Sequence, residues 1–286
     1  MKTRVFDDRA CTLGEGPLWH PLRKQLFWFD IMERKLMTRD ATGPQEWSFD
    51  DYVSAAGWVD EHSLLIASAS ALWRFDLSNG TRTRICPLEA ENPTTRSNDG
   101  RADPWGGFWI GTMGLNAETG AGAIYRYYQG TLRKLFAEIT ISNAICFAPD
   151  RSTAYFTDTA RGQVMKVALD REGWPTGEPA VFVDLRSDGL NPDGALVDAE
   201  GNLWIAQWGT SQVAGYSPEG AFIDAIPLPA RHVTCPAFGG ADFGSMFVTS
   251  AKQGLPEDII AGSPQQGMTF VIGGVTRGVA EPRVLL

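Results

Sequence analysis

Six short aromatic or aliphatic runs recur along the chain, and their spacing constrains the fold more than any other feature. They are Leu26-Phe27-Trp28-Phe29, Leu64-Leu65-Ile66-Ala67, Gly107-Phe108-Trp109-Ile110, Ala154-Tyr155-Phe156-Thr157, Asn202-Leu203-Trp204-Ile205 and Ser245-Met246-Phe247-Val248. Measured at the third residue, the steps are 38, 43, 47, 48 and 43 residues, the period of a blade-sized repeat. Polar turns precede most runs. The clearest is Val197-Asp198-Ala199-Glu200-Gly201-Asn202, where Gly and Asn supply the positive φ of a hairpin. Further strands with period-two alternation follow several of them, at Ala71 to Leu77, Ala123 to Tyr128 and Gln163 to Leu169. No long stretch carries a helical apolar stripe. The pattern predicts an all-β chain folded as a six-bladed β-propeller, in which radial repetition leaves only short, protected sheet edges. A β-sandwich does not require such regular spacing. We expect one domain over residues 1–286 with no interior linker. Ring closure would place Thr269-Phe270-Val271-Ile272 and Arg4-Val5-Phe6 in one blade.

A chain of 286 residues, 43% hydrophobic and 21% charged, can bury a core large enough to need no metal or disulfide for stability. Any metal would therefore serve function. The net charge of -9, with 25 basic residues scattered singly or in pairs such as Arg82 and Arg84, argues against nucleic acid and anionic membranes. The segment from Met1 to Ala10 is charged, and no apolar run approaches bilayer length, so a cytoplasmic protein is expected. Cys11, Cys86, Cys146 and Cys235 lie far apart without C-x-x-C spacing. They read as reduced, mostly buried thiols rather than a zinc site.

In a closed ring, residues that begin the innermost strands converge at one mouth of the axial channel. Aligned from the turns, those positions are Glu15, Ala55, Asn98, Asn143, Asp193 and, more loosely, Pro236. Four of these six are oxygen donors. Two carboxylates about 4 Å apart repel by roughly 4 kcal/mol at an effective dielectric near 20, and a bound cation removes that penalty. The donor set suits calcium, magnesium or manganese, and tolerates zinc or iron(II). Two alternatives stay open at this point: one carboxyl held protonated, or plain Asx turns at strand entrances.

At these residues the chain resembles the gluconolactonase and regucalcin (senescence marker protein) family, which includes bacterial sugar lactonases. The resemblance is carried by Leu13-Gly14-Glu15-Gly16-Pro17-Leu18-Trp19, Arg96-Ser97-Asn98-Asp99-Gly100, Trp109-Ile110-Gly111-Thr112-Met113 and Ile141-Ser142-Asn143. Tyr155-Phe156-Thr157-Asp158-Thr159, Pro192-Asp193-Gly194 and Ala237-Phe238-Gly239-Gly240 extend it over nearly the whole chain. It implies one divalent metal ion held by Glu15, Asn143 and Asp193, with Asp193 also handling the proton. Arg96 and Asn98 would contact substrate oxygens, and Glu118, in the loop from Gly114 to Gly122, the sugar hydroxyls. Ala144 departs from the family's usual glycine after the ligand asparagine.

The implied reaction is hydrolysis of a sugar lactone, a cyclic ester, with the metal polarising the carbonyl and Asp193 accepting the proton of the attacking water. Arg96 would orient the lactone. A serine hydrolase is disfavoured because no G-x-S-x-G elbow exists. His20 and His62 read as solvated turn residues, His232 as an edge of the pocket, and Trp58, Trp105 and Trp208 as core or pocket wall. The competing class is a non-catalytic, calcium-binding regulatory protein, since a fold does not dictate one function. A small-molecule substrate and a monomer or small homo-oligomer complete the expectation.

Overall fold

The computed structural model describes residues 2–286. Six four-stranded antiparallel sheets form the blades of a propeller. From the axis outward, blade 1 is Gly14–His20, Gln25–Asp30, Lys35–Asp40 and Gly43–Ser48. Blade 2 is Val53–Asp60, Ser63–Ser68, Ala71–Asp76 and Arg82–Pro87, and blade 3 is Thr95–Ala102, Phe108–Gly114, Gly122–Tyr128 and Thr131–Ile139. Blade 4 is Ser142–Phe147, Thr153–Asp158, Gln163–Leu169 and Pro175–Asp184. Blade 5 is Asn191–Val197, Leu203–Trp208, Gln212–Tyr216 and Phe222–Pro227. Blade 6 is His232–Gly239, Ser245–Ala251 and Thr269–Gly273, with Lys2–Asp7 as its outermost strand.

Each inner strand packs on the next, and that of blade 6 returns to that of blade 1, so the ring closes. Val5 pairs with Phe270 and Arg4 with Val271. At the end of that outer strand the buried Asp7 carboxylate accepts from Arg9 Nε at 2.9 Å and from Arg39 Nε, in blade 1, at 2.8 Å. These ion pairs tie the closing blade to the first.

The six repeated runs become the second strands, and Trp28, Ile66, Trp109, Phe156, Trp204 and Phe247 are all buried there between adjacent blades. Burial falls outward. The fourth strand of blade 2, Arg82–Pro87, is largely exposed or half-buried, which is why it lacks the continuous apolar run of the second strands. The departures from β structure are the helical turn Thr159–Arg161 and the helix Glu257–Gly262. No helix among the described residues is long and apolar enough to cross a membrane.

Every inner strand carries one extra residue near its start. The register shifts fall between Glu15 and Leu18, Val53 and Ala55, Ser97 and Gly100, Asn143 and Cys146, Pro192 and Ala195, and Val233 and Pro236. Such bulges bend the strand and re-aim side chains. The symmetry is approximate: Glu15 and Asn143 are still paired in the ladder, whereas Asn98 and Asp193 fall inside the bulge.

His20 corrects the sequence reading. It is fully buried, its Nε2 lies 2.9 Å from Asp60 O, and it packs on Trp58 and Phe27. The turn after it folds back under the next blade, which periodicity within one blade cannot reveal.

After Gly273 the chain crosses the face opposite the strand entrances. Trp58 Nε1 donates to Glu281 O at 2.8 Å, Val284 N to Trp58 O at 2.9 Å and Leu285 N to Gly106 O at 2.8 Å. Val284 is completely buried there, so the segment spans the lower mouth from blade 6 to blades 2 and 3.

Candidate metal centre and active site

Glu15, Arg96, Asn98, Asn143 and Asp193 meet at the upper mouth of the channel, all at most 7% exposed. A relay of hydrogen bonds orients the amides. Arg96 Nη1 donates to Asn98 Oδ1 at 2.7 Å, and Asn98 Nδ2 donates to Ser142 O at 2.9 Å and to Asn143 Oδ1 at 3.1 Å. Asn143 Nδ2 donates to Thr159 Oγ1 at 2.9 Å, and Thr159 Oγ1 to Pro192 O at 2.7 Å. The relay runs from blade 3 to blade 5 and ends on the residue before Asp193. It leaves one lone pair of Asn143 Oδ1 uncommitted, because an amide oxygen has two.

The Glu15 and Asp193 carboxyls are in hydrogen-bonding reach of each other. Both are pushed well above the usual carboxylate range, first by burial and then by neighbouring negative charge, from Asp99 on Glu15 and from Glu15 and Asp99 on Asp193. The Gly16 N–H, donating to Glu15 Oε2 at 2.9 Å, and the Arg96 guanidinium only partly oppose this for Glu15. Burial pulls Arg96 itself down to about 10, against the field of Glu15.

Sequence reasoning quoted Asp99 without giving it a role. The structure puts it below the Glu15–Asp193 pair, where its Oδ2 accepts from Ile145 N at 2.7 Å and burial raises it to about 6, against the pull of Arg101. Arg101 meets Glu281 from the C-terminal segment. Down the axis, Glu15, Asp193, Asp99 and Glu281 therefore outnumber the guanidiniums of Arg96 and Arg101 by two. A divalent cation would neutralise that excess.

Among the described residues no three His, Cys, Asp or Glu side chains are grouped as ligands. Beside the two carboxylates, Asn143 Oδ1 is an amide oxygen with a lone pair still available. Two carboxylates, one amide oxygen and the rest left to water or substrate make a hard, open donor set. The residues fit a divalent ion.

Backbone geometry aims the ligands. Gly16 has φ +54°, and a Cβ there would lie 2.2 Å from Ser54 O. Ala144 has φ 56°, so the position after Asn143 adopts the left-handed turn without glycine. Beside Asp193, a Cβ on Gly194 would come within 2.4 Å of Cys235 Sγ. Cys235 thus reaches the centre, its thiol driven up by burial and then by Glu15 and Asp99. It is a neutral wall.

Glu118 lies on the same face but apart from this cluster. It is exposed, and its carboxylate accepts from Asn116 N at 3.1 Å and Nδ2 at 2.9 Å. His232 begins the inner strand of blade 6 at the same rim. It stacks on Trp208 with centroids 4.0 Å apart, and its Nδ1 lies 3.0 Å from Gln253 O. Trp58 and Trp105 are at the opposite face, where a cleft of ≈ 600 Å³ lies against the C-terminal segment. The convergent polar groups Glu15, Asn98, Asn143 and Asp193 do not line that cleft. Thr159, Arg101 and Glu281 escaped the sequence reading because none begins an inner strand.

Fold and site together define a six-bladed propeller with an acidic axial centre suited to a divalent cation. The family described as SMP-30/Gluconolactonase/LRE-like region matches residues 13–252, and the chain belongs to it. A calcium-binding protein, regucalcin, from Agrobacterium tumefaciens has a solved structure that superposes with TM-score 0.97 at 41% identity, covering 100% of this chain and 98% of that one. The L-arabinolactonase of Azospirillum brasilense is 35% identical, over 98% of this chain and 94% of its own length. The 6-deoxy-6-sulfogluconolactonase of Pseudomonas putida is 32% identical, over 94% of each.

Proposed function

We propose that this protein is a divalent-cation-dependent lactonase that hydrolyses a sugar lactone to the aldonic acid. The observation that carries this reading is the convergence of the buried Glu15 and Asp193 at one mouth, in a column with two carboxylates in excess of its guanidiniums. Family membership and the lactonase names of two relatives support it. Glu15, Asn143 and Asp193 would hold the cation, which when bound supplies a Lewis acid for the lactone carbonyl. Calcium, magnesium, manganese, zinc and iron(II) are all compatible with these donors.

Asp193, ionised in the loaded enzyme, accepts the proton of the attacking water and returns it to the ring oxygen as that leaves. Arg96 spends Nη1 on Ser97 O and Asn98 Oδ1, and its remaining donors face the lactone oxygens. Asn98 commits both amide hydrogens to Ser142 O and Asn143 Oδ1, so it meets substrate only as an acceptor. Glu118 takes sugar hydroxyls from the rim. The four free cysteines suit a reducing, cytoplasmic setting.

The test is acid release from a panel of five- and six-carbon aldonolactones, using chelator-treated protein resupplied with single divalent ions. Turnover should need the ion and fall at least about 100-fold in Asp193→Asn. Tight calcium binding without turnover of any lactone would favour a calcium-binding regulator instead, the reading that similarity to the calcium-binding regucalcin supports.

A further inference from the structure

Below the candidate centre, one guanidinium reaches two neighbouring blades. Arg101 Nε donates to Ile145 O at 3.1 Å, and Arg101 Nη2 donates to Ala195 O at 3.1 Å. Ile145 follows Asn143 by two residues in the inner strand of blade 4, and Ala195 follows Asp193 by two in that of blade 5. The planar fork of Arg101 therefore sets the distance between two strands immediately past two of the three oxygen donors. Both strands are bulged at that point. A bulge breaks the local ladder, so the spacing there depends on such cross-ties.

A buried guanidinium needs a partner. Asp99 contributes through space, but the carboxylate that touches Arg101 is Glu281, 180 residues further along the chain. It comes from no blade. The C-terminal segment delivers it, held by the contacts of Trp58, Val284 and Leu285 described above.

We propose that Arg101 and Glu281 form a positioning pair that fixes the separation of Asn143 and Asp193, so that the C-terminal segment is part of the cation site and sets its affinity. This rests on the reading of the upper mouth as a cation site. Neither residue touches substrate; both act through the two strands. Ligand distances in metal sites fall within about 0.2 Å of their ideal values, and partners that orient the ligands affect affinity, which gives a cross-tie at this depth its leverage.

A charge effect must be separated from positioning. Glu281→Gln removes the partner and also leaves an extra positive charge on the axis. Arg101→Met with Glu281→Gln removes both charges and the two cross-ties together, and a neutral buried replacement of this kind is compatible with folding. The experiment is calorimetric titration of Mn²⁺ into chelator-treated full-length protein, with circular dichroism melts of each variant. Glu281→Gln and the double variant should both bind Mn²⁺ about 10- to 100-fold more weakly than the parent, and Glu281→Asp should retain most of the affinity. A double variant that folds and binds as tightly as the parent overturns the proposal. Should the parent itself bind no divalent ion, the reading of the centre falls first and this inference with it.

Discussion

Asn98 Nδ2 and Asn143 Oδ1 stand 3.1 Å apart across the junction of blades 3 and 4, and this contact holds the Asn143 oxygen on the blade 3 side. The same Asn143 is held from the other side by Thr159. The asparagine is thus gripped at both ends of its amide, which prevents it from flipping and presenting nitrogen to a cation.

Breaking either grip should weaken the centre without unfolding the propeller. Asn98→Ala frees the oxygen side and Thr159→Val the nitrogen side. Each is expected to lower divalent-ion affinity about tenfold or more, as loss of outer hydrogen-bond partners of ligands commonly does. Fluorescence or calorimetric titration with Mn²⁺ measures it, and unaltered affinity in both variants would show that the relay does not orient the ligand.

Two positions with the same backbone sign should respond oppositely to substitution. At Gly16, alanine meets Ser54 O at 2.2 Å, so Gly16→Ala should destabilise the fold and distort Glu15. At Ala144 the left-handed turn is already occupied by a side chain. Relief of about 1–2 kcal/mol of left-handed strain outweighs about 0.8 kcal/mol for the lost buried methyl. Ala144→Gly should therefore leave the melting temperature unchanged or raise it by roughly 1–3 °C, while Ala144→Val lowers it.

The Asp7 latch predicts acid sensitivity of ring closure. Burial raises the Asp7 carboxyl, but its bonds to Arg9 and Arg39 outweigh this and hold it below the ordinary value. Its stabilisation is complete above the unfolded-state value and is lost as pH falls through the depressed one. Asp7→Asn should cost about 1–3 kcal/mol near neutral pH and lose that difference in acid. Urea denaturation at about pH 7 and about pH 3 checks this; an equal penalty at both would contradict it.

Glu15 and Asp193 have the opposite sign. Their raised folded-state values mean that the cation-free fold holds protons which the unfolded chain releases. That contribution is complete in acid and is lost as pH rises through the raised values. Chelator-treated protein should therefore melt lower at about pH 9 than at about pH 6. Added Mn²⁺ should reduce the gap by replacing those protons, and Glu15→Gln with Asp193→Asn should shrink the trend to the part left by Asp99 and the buried thiols. A trend of unchanged size in the double variant would assign it to other groups.

The repeat in the sequence, together with the family resemblance, pointed to the architecture. Six buried runs at nearly even spacing have no other economical arrangement, and all six became second strands in six blades. Outer strands such as Phe222–Pro227 were less legible, because exposed positions impose little on residue type. At the site, the spacing singled out Glu15, Asn98, Asn143 and Asp193 as convergent, since a ring maps equal positions onto one mouth. It did not find Thr159, which reaches Asn143 from a helical turn after the second strand of blade 4.

What the chain determined by itself was the number of blades and which polar residues enter the axis, because both follow from one-dimensional periodicity. The tertiary structure alone decided the column of charge beneath them. Arg101 and Glu281 are 180 residues apart, and no repeat relates them. Their meeting depends on a C-terminal segment crossing the lower mouth, and the amide orientation of Asn143 depends on neighbours in two other blades. Contacts between non-equivalent parts of a symmetric ring leave no periodic trace, so they become visible only when the ring is closed.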